Sequence, residues 1–305
     1  MVGNLISFCR RGVIMAFLSY LINGLGLGSV YAIIALGYTM VYGIAKMLNF
    51  AHGDIIMVGA YVTYFALSLM KLPVLVSVLL AVAVSTLLGV TIERLAYKPL
   101  RHATSLSVLI TAIGVSYFLQ NGAQLLWGSS TKVFPSVISN GAVTLGSISI
   151  SYLTLLTRFV CLAVMGCLTL FINKTKTGMA MRACSEDKGA AALMGINVNQ
   201  IISITFAIGS GLAAIAAFLL CATYPSVYPT LGSMPGIKAF TAAVFGGIGS
   251  IPGAFLGGLM LGIIEILAKA YISTQLSDAI VFAVLIIVLL IKPTGLLGRK
   301  LSEKV

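Results

Sequence analysis

Long apolar runs separated by short polar breaks make up this chain. The runs fall at about 14–33, 50–70, 74–92, 105–127, 152–172, 201–222, 253–270 and 277–292. Each is close to the roughly 20 residues an α-helix needs to cross about 30 Å of hydrocarbon. Two shorter apolar pieces, 34–46 and 236–250, read as half-crossings or separate short helices. A membrane β-barrel would show short segments of alternating polarity instead. The pattern predicts an all-α polytopic membrane protein with 8–10 transmembrane helical elements, as one domain over 1–305.

The breaks differ in character. The longest one in the second half, 173–200, holds Lys174, Lys176, Arg182, Glu186, Asp187 and Lys188, six of the chain's 26 charged residues. A second, 128–151, is rich in Ser, Gly, Thr and β-branched residues and suits a hairpin. A third, Tyr224–Gly236, contains three prolines.

Composition agrees with the pattern. Of 305 residues, 59% are hydrophobic and 9% charged, against about 25% charged in soluble domains. The mean hydropathy is +1.09. The net charge of +12 marks a membrane face, not a nucleic-acid surface, because the lysines and arginines cluster in short loops. With the N-terminus, 93–104, 173–200 and the C-terminus on the cytoplasmic side, thirteen cations lie inside: Arg10, Arg11, Arg94, Lys98, Arg101, Lys174, Lys176, Arg182, Lys188, Lys292, Arg299, Lys300 and Lys304. Lys71 and Lys132 lie outside. This places both termini in the cytoplasm, with ten crossings favoured and eight also allowed by parity. Loop 128–151 then lies outside the cell, and Tyr224–Gly236 is a second external candidate. Arg10 and Arg11 before an apolar run resemble a signal peptide, but the run continues to Tyr42, so an uncleaved first span is expected; Met15 is an alternative start. Cys9, Cys161, Cys167, Cys184 and Cys221 lack metal-ligand spacing and read as packing residues.

Candidate chemistry sits where the apolar runs are interrupted. Asn49-Phe50-Ala51-His52-Gly53-Asp54 puts a histidine and a carboxylate between apolar stretches. Intramembrane ionisable groups are costly and tend to face a partner or a wet cavity. They suit either a proton relay or a helix start capped by Asn49 or Asp54. A similar break runs through Gly246, Gly247, Gly249, Ser250, Pro252 and Gly253, with Pro252 in a first helical turn and Ser250 as its cap. Residues 37–61 and 236–261 thus form a weak internal duplication with broken helices, the sign of a transporter pathway. Glu265 and Lys269 form an i,i+4 pair, and Asp278 suits a cap. Small residues at Gly24, Gly28 and Ser29 suit close helix packing. Neither a catalytic constellation nor a phosphate-binding loop is present, so the chain reads as a non-enzyme without metal or cofactor, and any ATP must act on another polypeptide.

Two stretches resemble a known family. Asn23–Val62 is similar to the N-terminal signature of LivH-type permeases of bacterial branched-chain amino acid ABC importers, and Phe240–Gly258 resembles their glycine signature. The resemblance runs from about Ala16 to Leu296. It implies a permease domain in the bacterial cytoplasmic membrane, embedded in lipid. The implied partners are a second related permease, two cytoplasmic ATPases and an extracytoplasmic substrate-binding protein. The alternatives are a related permease for urea or short amides, or an ion-coupled secondary transporter. Importer permeases of this kind carry a coupling helix with the motif Glu-Ala-Ala, three residues, then Gly. Ala190, Ala191 and Gly195 match that spacing, Gly189 stands in place of the Glu, and Glu186 and Asp187 lie just upstream. The residues themselves suggest a helix from Glu186 to Met194, capped by Ser185 and stopped by Gly195. Arg182, Glu186, Asp187, Ala190, Ala191 and Gly195 are the expected ATPase contacts. Asn49, His52, Gly53, Asp54, Gly246, Gly247, Gly249, Pro252 and Gly253 are the expected pathway residues.

Overall fold

The computed structural model describes residues 2–101, 103–137, 141–145 and 148–298, with the backbone alone for 2–14 and 143–150. The side chains of Cys9, Arg10 and Arg11, and the whole of Arg299, Lys300 and Lys304, fall outside the described set.

The helices are α1 (Val2–Ala45), α2 (His52–Ser68), α3 (Val74–Ile92), α4 (Ser105–Trp127), α5 (Tyr152–Lys174), α6 (Lys176–Glu186), α7 (Lys188–Leu193), α8 (Val198–Thr223), α9 (Ser233–Gly246), α10 (Ile251–Tyr271) and α11 (Ser277–Ile291). A π-helical turn, Glu93–Tyr97, prolongs α3. Six helices are long and apolar enough to cross a membrane: Met15–Ala45 of α1, α3 with its π turn, α4, α5, α8 and α10. Together with the shorter α2, α9 and α11, nine helices form the bundle among the described residues. Nine falls within the expected 8–10; the favoured ten is not reached, because 34–45 is the last quarter of α1 and not a separate element. Nothing in that stretch breaks a helix: it lacks proline, and its glycines are single.

α1 and α8 form the interior, flanked by α2 and α10. α3, α4, α5 and α11 turn large apolar side chains outward, among them Leu79, Leu87, Phe118, Leu125, Phe159, Leu170 and Leu290. In water these would be unfavourable; against lipid they are the expected surface. Centrally, α1 and α10 cross antiparallel at backbone contact. A Cβ on Gly28 would lie 2.7 Å from the Leu259 carbonyl oxygen, and one on Gly262 would lie 2.2 Å from the Gly28 nitrogen. The small-residue face read from 23–29 is therefore a helix-packing surface, and α10 supplies a matching one.

The ends of α1 and α10 set the two faces. Tyr20 meets Tyr271 edge-on at 5.8 Å between centroids. At the other end Gly43 packs on Gly249, and Lys188 Nζ donates to the Ala45 carbonyl at 2.6 Å. The tail returns there too: Leu296 N and Leu297 N donate to Phe245 O and Gly246 O, both at 2.9 Å. One face thus carries the end of α1, the α6–α7 segment, the α9–α10 turn and residues 295–298. The start of α1 lies at the opposite face. Among the described residues, the start of α1 and residues 295–298 therefore lie at opposite ends of the bundle.

At the α1-start face the two remaining loops are joined. Strands β2 (Ala142–Leu145) and β3 (Ile148–Ser151) form the expected hairpin, pairing Ala142 with Ser151 and Leu145 with Ile148. Strand β1 (Lys132–Val133) pairs antiparallel with β4 (Ser226–Val227), so 128–151 and 224–236 are linked to each other.

Candidate functional site

α2 and α9 are both interrupted crossings, entered from opposite faces. After Ala45 the chain folds back into the bundle, and α2 begins at His52. A Cβ on Gly37 would lie 2.7 Å from His52 Nε2, with the Gly209 carbonyl at 3.2 Å. Gly37 is two helical turns before Ala45, about 12 Å along the axis, so α2 starts well inside. From the other face, 224–232 folds inward and α9 begins at Ser233. The two starts meet backbone to backbone: a Cβ on Gly232 would lie 1.7 Å from Gly53 O, and one on Gly236 would lie 2.9 Å from Gly53 Cα. Only glycines permit that approach.

Neither helix start has a side-chain cap, which overturns the expectation that Asn49 or Asp54 caps α2. Ala51 is itself nearly helical, and tight backbone turns satisfy the first amides: His52 N donates to Asn49 O at 3.2 Å and Asp54 N to Ala51 O at 3.0 Å. The polar side chains are free to turn elsewhere. Asn49 Oδ1 accepts from the Tyr97 hydroxyl at 2.9 Å. Asp54 Oδ1 accepts from Gln120 Nε2 of α4 at 2.9 Å, and the same amide reaches Ser116 Oγ and Ser233 Oγ at 3.1 and 3.2 Å. His52 packs on the Tyr38 ring, 4.6 Å between centroids. His52 and Asp54 therefore face different neighbours and do not form the relay that one reading of the sequence allowed.

A cavity of about 240 Å³ opens beside this junction, lined by Asp54, Ser116, Gln120, Ser233, Tyr38 and Phe50 among others. It opens between α2, α4 and α9, where Ile113, Tyr117 and Ile237 are exposed. A much smaller cavity, about 10 Å³, lies toward the α6–α7 face beside Asn49, His52 and Ile248. Tyr38 borders both. It packs on Phe240 at 5.9 Å, and Phe240 on Phe50 at 5.6 Å, so an aromatic trio separates the two spaces.

The glycine break is differently placed. Gly246, Gly247, Gly249, Pro252 and Gly253 form the tight α9–α10 turn at the face where α1 ends. Gly247 and Gly249 take φ of +108° and +89°. Ser250 Oγ accepts from Gly253 N at 3.2 Å and Pro252 lies in the first turn of α10, so that start is built as expected. Of this set's neighbourhood only Ile248 borders the small cavity. The interruption that meets Gly53 is at Gly232, which sequence reasoning placed in an external loop.

The 173–200 segment holds two helices, α6 and α7, where one from Glu186 to Met194 was expected. Ser185 Oγ donates to Arg182 O at 2.7 Å and caps nothing. The cap is Asp187: its Oδ1 accepts from Gly189 N at 2.7 Å and Ala190 N at 3.0 Å. Asp187 is extended at φ −152°, which ends α6 and starts α7. Gly195 stops α7 as expected, at φ +83° with Ile196 N donating to Ala191 O at 3.0 Å. Met181, Cys184 and Ala191 are buried against the bundle. Arg182, Glu186, Asp187, Ala190 and Gly195 are exposed. Leu193 and Met194 project with 91% and 83% exposure. Lys188 sits over the C-terminal end of α1, where a cation is favoured, yet burial pushes its ammonium below the usual range and Arg101 and Lys46 push the same way.

Sequence reasoning missed two charge clusters. Glu93 is fully buried; it pairs with Arg101 and accepts from Ser203 Oγ at 2.6 Å. Arg101 also donates to Asn199, tying the α3–α4 loop to the start of α8. The second joins four helices. Glu265 accepts from Lys269 at 2.6 Å, as expected, but also pairs with Lys238 of α9 at 2.9 Å and accepts from the Tyr31 hydroxyl at 2.9 Å. Lys238 reaches Asp278 at 2.6 Å, so Asp278 is an ion-pair partner; α11 has no side-chain cap. A lone lysine inside α9 was the available signal, since a buried cation needs an anion.

Interrupted helices meeting at an internal cavity define a multi-pass membrane protein of the transporter kind. Residues 20–289 match the family model described as branched-chain amino acid transport system / permease component. The chain is 47% identical over 301 residues to the high-affinity branched-chain amino acid transport system permease protein BraD of Pseudomonas aeruginosa, covering 95% of this chain and 98% of that one. It is 47% identical over 302 residues to the protein LivH of the same description in Escherichia coli K12, with the same coverage. A probable LivH of Methanocaldococcus jannaschii is 27% identical over 282 residues, covering 87% and 88%. The chain belongs to this family of permease components.

Proposed function

We propose that the chain is the membrane-spanning permease subunit of an ABC importer for branched-chain amino acids in a bacterial cytoplasmic membrane. The observation that carries this reading is its likeness, along 95% of its length, to permeases named for that transport. It works with a second related permease, two cytoplasmic ATPases and an extracytoplasmic binding protein. The α6–α7 face is the cytoplasmic one: Lys46, Arg94, Lys98, Arg101, Lys174, Lys176, Arg182, Lys188 and Lys292 flank the helix ends there, against Arg10, Arg11, Lys71, Lys132 and Lys269 toward the opposite face. The start of α1 is then outside. The cavity beside Asp54 is this subunit's half of the pathway, closed toward the cytoplasm by Tyr38, Phe50 and Phe240. The second permease covers its open side at Ile113, Tyr117 and Ile237.

The α6–α7 segment receives the ATPase. Exposed apolar side chains at a water-facing tip are sites of association, and Leu193 and Met194 form such a tip beyond Arg182, Glu186, Asp187, Ala190, Ala191 and Gly195. Leu193→Asp is expected to reduce ATPase co-purification at least about tenfold, since losing one apolar anchor costs about 2 kcal/mol. The free permease's stability stays within about 0.5 kcal/mol. The full complex in proteoliposomes is expected to take up labelled leucine only with ATP inside and binding protein outside. Uptake by the permease alone under a proton gradient would refute the reading.

A further inference from the structure

Asp54 is 1% exposed, yet it borders a cavity of about 240 Å³. We propose that its carboxylate receives the ammonium group of the cargo midway across the membrane. The inference rests on the cavity being the transport pathway. The hydrogen-bond partners fixed around Asp54 are neutral: Gln120 donates to it and is itself held by Ser116 and Ser233. Among the described residues, no lysine, arginine or histidine lines the cavity. The cation of α9, Lys238, is held on another side by Glu265 and Asp278. The starts of α2 and α9 contribute partial positive charge, equivalent to about half a unit each, but not the full charge of a bound cation.

A carboxylate in such surroundings is costly until a cation reaches it. The walls beside it are apolar, formed by Phe50, Ile113 and Ile237. The complement is a molecule with one cationic head and an aliphatic body. An aliphatic amino acid fits with its ammonium at Asp54 and its side chain against those walls. A carboxylate end presented alone would be repelled.

Two measurements on the assembled transporter test this. The first replaces Ser116 by cysteine and compares a cationic with an anionic methanethiosulfonate, reading modification at residue 116 by peptide mass spectrometry. The cationic reagent is expected to react at least about tenfold faster, as one charge–charge contact of about 1.4 kcal/mol gives, and Asp54→Asn should bring the ratio near one. Equal rates, or a faster anionic reagent, with Asp54 in place would overturn the proposal. The second is ATP-driven leucine uptake in complexes whose assembly is verified by size exclusion. Asp54→Asn is expected to lower it at least about tenfold, with Asp54→Glu recovering part. Uptake by Asp54→Asn within twofold of the native transporter would equally sink the idea. If the native complex carries no branched-chain amino acid, the functional reading fails, while the thiol ratio still decides the charge at Asp54.

Discussion

Asp54 and Glu265 are both intramembrane carboxylates, each 1% exposed, but they are treated in opposite ways. Glu265 is surrounded by full charges and a hydroxyl: Lys238, Lys269 and Tyr31 lie within 2.9 Å. With Asp278 the cluster balances two cations against two anions and leaves nothing for a ligand. Asp54 has neutral donors and an open cavity. Where a bundle neutralises its own charge, the charge joins helices; where it leaves one facing a cavity, the charge is available to something that passes. The contrast meets in α9, which carries Ser233 and Gly236 to the cavity and Lys238 to the cluster. Its position at the pathway therefore depends on ion pairs made elsewhere.

The largest effect is expected where that dependence is cut. Glu265→Leu leaves Lys238 buried with Asp278 as its one acid. Removing one member of a buried pair costs about 3–5 kcal/mol, so heated, detergent-purified permease should lose its monodisperse peak at much lower temperature. Adding Lys238→Met should recover much of the loss, because apolar replacement of a whole buried pair is often neutral. Recovered stability without recovered uptake would give the cluster a role beyond joining helices and break the contrast with Asp54. Next comes Gly232→Ala, which places a methyl group 1.7 Å from Gly53 O. Backbone must yield, at about 1–3 kcal/mol. Uptake should fall more than stability, since the two starts part at the cavity itself. Equal losses would mean that the junction only packs.

Much of the bundle was legible as apolar length: α3, α4, α5, α8 and α10 lie close to the runs that predict them. The cap at Ser250 and the stop at Gly195 were legible because both are local. What failed depends on partners distant in sequence. Asp54 looked like a cap because a carboxylate near a helix start usually is one, and nothing nearby in sequence points to Gln120 sixty-six residues later. Residues 224–232 looked like an external connector, because prolines and polar residues serve a water-exposed loop and a re-entrant segment equally. The glycine break was matched to Asn49–Asp54 by its pattern, whereas the meeting at Gly53 and Gly232 is set by the bundle. Asp278 was read singly, as a cap, and its pairing with Lys238 required α9, α10 and α11 to be assembled.

The smallest expected effect bounds the contrast. Asp278 completes the cluster from its rim: its side chain is 41% exposed, against 1% for Glu265. Water already solvates much of it, and exposed pairs contribute about 0.2–1 kcal/mol. Lys238 keeps Glu265 at 2.9 Å when Asp278 is neutral, so Asp278→Asn should shift thermal stability by no more than that range and leave leucine uptake nearly unchanged. A loss approaching that of Glu265→Leu would mean that α11 holds Lys238 in place and that Glu265 alone does not neutralise it. The balance of charge around α9 would then be set at the membrane surface, where salt can screen it, and raising ionic strength should reproduce the variant's loss in the native protein.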